Sequence, residues 1–276
     1  MPVNQLETET SLAPPSSSSK DKRQLLRVLR NYVQRAGIQR SDSILVVGGG
    51  EDDIQMLTAL GLTNFVISNL AESGADLDAE NIALPDNSYD VVFAHAVLHH
   101  CRSPHKAVGE MLRVARKNVM FVEPNDSLFM RTLVRSGFSF PYEVAAVMAN
   151  EYIRGGVRDT CIPNYLYRWN LPELQKTAAS AMPEHRLFCY GSGYWDFYVN
   201  ERELGYRKGT RIGKITNLIG ARNFIRLLHF SQRMLNVFPP IRHQGNKFFG
   251  GIQKSPDLQP WLVREEDRVR FNRNWS

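Results

Sequence analysis

Cysteine is scarce in this chain of 276 residues: Cys101, Cys161 and Cys189 stand far apart and form no CxxC pair. That argues against a disulfide framework and for a reducing compartment, so the expected location is the cytoplasm. No apolar run reaches the roughly 18 residues that a membrane span needs. A basic stretch leading into an apolar core is missing at the N-terminus, so no secretory leader is expected. There is no internal repeat. The end of the chain is poor in acid: from Asn200 to Ser276 it has 15 Lys/Arg against 6 Asp/Glu, which leaves this tail at +9 and the rest at −3. A basic tail can meet nucleic acid or anionic lipid, or form an ordinary solvated helical surface. We adopt the last reading and expect no nucleic-acid partner. A membrane-surface contact is kept as the less favoured alternative.

What is present, 43% of it hydrophobic, is enough for one large α/β domain with insertions. Residues 1–19, with Pro14-Pro15 and Ser16 to Ser19, read as a disordered arm. The main domain is expected over 20–254. It holds an insert at 125–185 and a basic helical segment at 201–245, and residues 255–276 form an extension. Lys20 to Ala36 has the apolar spacing of an amphipathic helix. Residues 44–50, Ile-Leu-Val-Val-Gly-Gly-Gly, read as a buried strand running into a turn, and Asp52 to Leu60 as the helix that follows. Such a strand–turn–helix unit presents a nucleotide or nucleoside to a helix start. Short strands are expected at Asn64–Ser68, more weakly at Asp76–Ala79, and at Tyr89–Ala94 and Asn118–Val122. Ser103-Pro104 marks a helix start, with Ser as N-cap and Pro in the first turn. The alternation predicts right-handed crossovers and a parallel sheet. Further on, Arg186 to Asn200 reads as strand, Ile215 to Val237 as one amphipathic helix, and Asn246 to Gln253 as a last strand.

Three blocks line up in order: the glycine turn at 44–50; the string Asp78-Ala79-Glu80 through Leu84-Pro85 to Asn87-Ser88-Tyr89-Asp90-Val91-Val92; and Leu98-His99-His100 followed by Pro104 and a helix ending Leu112-Arg113-Val114-Ala115. The chain resembles the class I S-adenosylmethionine (SAM) dependent methyltransferases, in particular those acting on small molecules. The resemblance covers about residues 40–125 well and 186–254 loosely. It implies a Rossmann-like fold with a seven-stranded, mostly parallel sheet, helices on both faces and an antiparallel last strand. It implies SAM as cofactor, with the methionine moiety against Gly48, Gly49 and Gly50. The ribose would lie by Asn69 and Leu70 and the adenine at Asp78 and Ala79, with His95 at the edge of the site. Three positions depart from the pattern. Val46 stands where an acid is common, Asp52 where a further glycine is common, and Asn69 where a carboxylate grips the ribose hydroxyls. A neutral amide bond contributes roughly 0.5–1.5 kcal/mol, against about 1.5–3 for a charge-assisted one. Glu51 and Asp52 could face the cationic cofactor, or simply favour a helix N-terminus.

His95, His99, His100 and His105 fall within eleven positions. No cysteine or nearby carboxylate completes a ligand pattern, so no metal is expected. His95 and His99 are the candidate proton acceptors, since an imidazole titrates near neutrality. Glu123 and Asp126, after the fifth expected strand, could orient a hydroxyl or act as base, or cap a loop. The aromatic insert, with Tyr142, Tyr152, Tyr165, Tyr167 and Trp169, suits either a lid over an organic acceptor or a plain helical core. The expected activity is methyl transfer to an O or N atom of a small or lipid-like metabolite. A non-catalytic scaffold of the same fold is the main alternative. A nicotinamide-dependent oxidoreductase is the weakest, because Asp53 stands where its third glycine belongs.

Overall fold

The computed structural model describes residues 23–68, 77–197, 199, 201–206, 209–266 and 268–275. The expected arm at 1–19 and the expected ribose contacts Asn69 and Leu70 lie outside them. Helix α1 (Arg23–Arg35) leads into β1 (Ile44–Val47), α2 (Glu51–Ala59), β2 (Phe65–Ser68) and β3 (Tyr89–His95). Then come α3 (Pro104–Val114), β4 (Ala115–Pro124), α4 (Leu128–Arg135), α5 (Val144–Ala149) and α6 (Leu171–Ala181). The second half adds β5 (His185–Tyr194), α7 (Glu201–Tyr206), α8 (Arg211–Ile219), α9 (Ala221–Leu235) and α10 (Pro239–Arg242). It closes with β6 (Lys247–Leu258) and a hairpin of β7 (Leu262–Glu265) and β8 (Arg268–Phe271).

The central sheet runs β2-β1-β3-β4-β6-β5. β1 to β4 pair in parallel, and β6 runs antiparallel between β4 and β5. The order reverses between β1 and β3, and the carboxyl ends of those two strands open the crevice where ligands of such sheets bind. Six strands stand where seven were expected. Around the weak third one, the described residues form only an isolated bridge between Asp78 and Asn81.

Both faces of the sheet are covered, which is why its strands read as continuous apolar runs. All four residues of β1 are buried. Ile44 and Val46 join Val91 and Phe93 under α1 and α2, while Leu45 and Val47 join Val92, Ala94 and Phe121 under α3 and α6. Each such side chain contributes roughly 1.5–3 kcal/mol on burial. The α3 start follows its sequence signal: the Ser103 hydroxyl accepts from the Lys106 amide and Pro104 sits in the first turn.

Residues of the insert are pinned to the end of β4. The Trp169 amide donates to the Pro124 carbonyl, and the Asp126 amide to that of Trp169, both at 2.8 Å. The Trp169 ring is fully buried against Phe121 and His105, so this tryptophan is core rather than lid. Tyr142 and Tyr165, stacked edge to face, stay exposed.

The late helices differ from expectation. In place of one helix over 215–237, Gly220, at φ +83°, separates α8 from α9, a left-handed position that a side chain would strain. Leu227, Phe230 and Met234 of α9 are exposed, and Gln232 is its buried residue. The expected strand 186–200 stops at Tyr194, and the last strand extends to Leu258. The C-terminal hairpin holds its own ring cluster of Trp261, Phe271 and Trp275. Among the described residues, no helix is long and apolar enough to cross a membrane.

Candidate functional site

The glycine turn sits at the carboxyl end of β1. Gly48 has φ +65°, and a Cβ there would stand 2.7 Å from the Val97 side chain, so the position demands glycine. A Cβ on Gly50 would meet nothing within 4 Å, so the turn faces open space on that side. Val46 is fully buried in the core and offers no charge to the turn. The carboxylate at this turn comes from Asp53, one helical turn further on. Its Oδ2 accepts the Gly50 amide at 2.9 Å, and its Oδ1 lies 2.8 Å from His95 Nδ1. Asp53 is buried, whereas His95, at the end of β3, keeps a quarter of its side chain exposed. With Nδ1 held by a carboxylate, the neutral imidazole carries its proton there and leaves Nε2 as acceptor. The spacing from Gly50 to Asp53 is that of an N-cap and the third helical residue, whose side chain reaches back to the cap amide. That signal was present in the sequence, yet Asp53 entered the reading only as a missing glycine. Glu51 is exposed and accepts from Gln55.

Around this turn the structure has features that suit a nucleoside. Ser68, at the carboxyl end of β2, has a buried hydroxyl with no hydrogen-bond partner among the described residues, and its carbonyl accepts the Gly48 amide. Asp78 accepts the Glu80 amide through Oδ1, which fixes its loop, and Ala79 is buried beneath it. Asp78 Oδ2 is 2.7 Å from an Arg158 guanidinium nitrogen. Arg158 belongs to the insert, and its φ of +49° places it in an uncommon left-handed conformation. An open glycine, a hydroxyl without a partner among the described residues and a partly exposed carboxylate now shared with Arg158 fit a ligand with ribose hydroxyls and an exocyclic amine.

A second cluster lies behind the first. Glu123, at the end of β4, is fully buried, and its Oε1 accepts the amides of Val97 and Leu98 at 2.9 and 2.7 Å. Its Oε2 pairs with His99 Nδ1. His99 Nε2 stands 3.2 Å from Glu143 Oε2, so both ring nitrogens of this buried histidine are engaged. His100 turns its Nε2 to the same oxygen at 3.6 Å and its Nδ1 to the Gly156 carbonyl at 3.2 Å. Burial alone would lower the His99 pKa, but the Glu123 and Glu143 carboxylates raise it to about 9. Burial would raise both carboxyls, yet His99 pulls Glu123 down and, with His100 and Asn164, pulls Glu143 to about 2. Burial and the neighbouring His99 charge lower the His100 pKa. The structure therefore joins His99 and Glu123 to each other and keeps both apart from the Asp53–His95 pair. Glu143 carries no motif and lies far along the chain, so no local pattern marks it.

Two cavities lie elsewhere, and neither is lined by the glycine turn, His95, His99 or Glu123. One of about 320 Å³ lies beyond the end of β4 and is lined by Asp126, Arg131, Arg135, Tyr165, Tyr167 and Arg168. The larger, about 680 Å³, lies between α3 and α6, lined by His105, Lys106, Glu110 and Glu173 among others, and does not reach the glycine turn. In it, His105 pairs with Glu173 and the Tyr167 hydroxyl, which accounts for the fourth histidine. Asp126 itself pairs with Arg131.

Residues 63–122 match the family described as methyltransferase domain. No curated protein matches the chain. Among solved structures, the chain is similar to magnesium protoporphyrin IX methyltransferase from Synechocystis PCC 6803 with bound S-adenosylhomocysteine (SAH): 11% identity, TM-score 0.40, covering 88% of this chain and 90% of that one. It is also similar to the plantazolicin methyltransferase BpumL with SAH, at 15% identity and TM-score 0.42, covering 83% of this chain and 82% of that one.

Proposed function

We propose that this chain is a class I SAM-dependent methyltransferase, a reading supported by the match of residues 63–122 to the methyltransferase domain family, and that it moves a methyl group to an oxygen or nitrogen of a small organic acceptor, with His95 as the base. The observation that carries this reading is the Asp53–His95 pair, set against the open glycine turn where β1 and β3 diverge. Gly48 to Gly50 would take the methionine end of the cofactor, Ser68 would face the ribose, and Asp78 with Ala79 would hold the adenine. Asp53 supplies at this turn the negative charge that Val46 does not. When bound, SAM brings a methyl group already activated by a sulfonium.

The residues of the chain then have three tasks: to align the acceptor with the methyl carbon, to exclude water, and to take one proton. The acceptor O–H or N–H would give its proton to His95 Nε2, which would free the acceptor's lone pair to take the methyl group that SAM supplies when bound. Asp53 keeps the imidazole in the right tautomer and stabilises the imidazolium that forms.

Calorimetry with SAM tests the cofactor, and no heat at millimolar SAM would overturn it. Labelled SAM incubated with metabolite extract, read by mass spectrometry, identifies the acceptor. With that acceptor in hand, His95→Ala is expected to lower kcat by about 10²–10⁴-fold while SAM still binds, and unchanged turnover would remove His95 from the mechanism.

A further inference from the structure

We propose that His99, His100 and Glu143 form a binding site for a divalent transition-metal ion of the zinc type, and that the ion clasps the insert to the sheet. The argument starts from which nitrogen of each ring is occupied. His99 Nδ1 is held by the Glu123 carboxylate, and His100 Nδ1 faces the Gly156 carbonyl at 3.2 Å. Metal-binding histidines are oriented in this way, with one nitrogen donated to a carboxylate or carbonyl and the other turned to the ion. Both Nε2 atoms converge on Glu143 Oε2, at 3.2 and 3.6 Å. In a tetrahedral site with bonds near 2.1 Å, neighbouring donor atoms stand about 3.4 Å apart. The three donors all lie within 4.8 Å of one another.

The carboxylate is also built in. The Glu143 amide donates to the Asn164 carbonyl at 3.0 Å, and Asn164 Nδ2 donates back to Glu143 Oε2 at 3.2 Å. Asn164 is fully buried, and its Oδ1 has no hydrogen-bond partner among the described residues. Two imidazoles and a carboxylate are the protein ligands of an open zinc site, whose fourth position is left to water or another oxygen donor. The ion replaces the proton that His99 Nε2 shares with Glu143. Because Glu143 and Gly156 both come from the insert while His99 and His100 follow β3, the ion ties the insert down beside Asp78. This site is independent of the methyl-transfer reading and stands or falls without it.

The experiment titrates the full chain, stripped of metal, with Zn²⁺ by calorimetry and with Co²⁺ by visible absorption. We expect one site, the ligand-field spectrum of four-coordinate cobalt, and a higher Tm and slower proteolysis within the insert when Zn²⁺ is present. His100→Ala and, separately, Glu143→Gln are expected to weaken Zn²⁺ binding at least tenfold and to remove the cobalt spectrum. His100 and Glu143 are only partly buried, and circular dichroism establishes that each variant is folded. His105→Ala, a histidine engaged elsewhere, is expected to bind as the wild type does. No binding at 100 micromolar metal would overturn the proposal, as would binding unchanged in both folded variants.

Discussion

Two histidine–carboxylate pairs sit at the carboxyl edge of the sheet in opposite surroundings. In the Asp53–His95 pair one ring nitrogen is anchored and a quarter of the side chain remains open. In the Glu123–His99 pair the histidine is almost wholly buried and its second nitrogen is taken by Glu143. The first pair joins α2 to the end of β3, and the second joins the turn after β3 to the end of β4. What separates them is the second partner, and the second partner comes from the insert. A histidine with one tied nitrogen can exchange a proton with a substrate, whereas one tied at both ends holds structure together.

Substitutions can break this contrast. The largest effect expected is on turnover: His95→Ala should lose about 10²–10⁴-fold in kcat, with little change in Tm. Glu123→Ala should show the reverse, a stability loss of about 3–5 kcal/mol in urea unfolding, because it strips the countercharge from buried His99 and orphans two amides. A Glu123→Ala variant as stable as the wild type would erase the distinction. Gly50→Ala sharpens it from the cofactor side. The added methyl has free space in the protein alone, so stability should hold while SAM affinity falls about tenfold, as read by calorimetry. Equal affinity would move the cofactor away from that turn.

Asp90 is a reference for both pairs, a carboxylate at the amino end of β3 with no proposed role in chemistry. Burial would raise its pKa, but the Ser43 amide and hydroxyl, Lys117 and Arg116 bring it to about 2. Its folded value is thus below the ordinary 3.8 of the unfolded chain. The stability it contributes is complete above about pH 4 and fades as the pH falls toward 2. Asp90→Asn should cost about 1–3 kcal/mol near neutrality and flatten the acid limb of stability against pH, with turnover unchanged.

The elements most legible in the sequence were those whose signals are local. Ser103-Pro104 announced α3, and the run Ile44 to Val47 announced a strand buried on both faces. The break at Gly220 was not legible, because apolar spacing continues on either side of it and only the backbone angle shows the stop. Glu143 and Arg158 were invisible for a different reason. Each acts across a long stretch of chain on a partner that local pattern cannot supply. Asp53 is legible, since its offset from Gly50 is that of a helix cap.

The contact between Arg158 and Asp78 has a kinetic consequence. If Asp78 is where an adenine amine docks, the insert and the nucleoside compete for one oxygen atom, and both cannot hold it in the same way. Loading the cofactor then has to come before the insert settles, and release of the spent cofactor has to wait until it lifts. Such a chain would work in an obligatory order, with the nucleoside first on and last off. The exchange of one cation for a neutral amine would make that order sensitive to salt, since the pair is half in water and is screened accordingly.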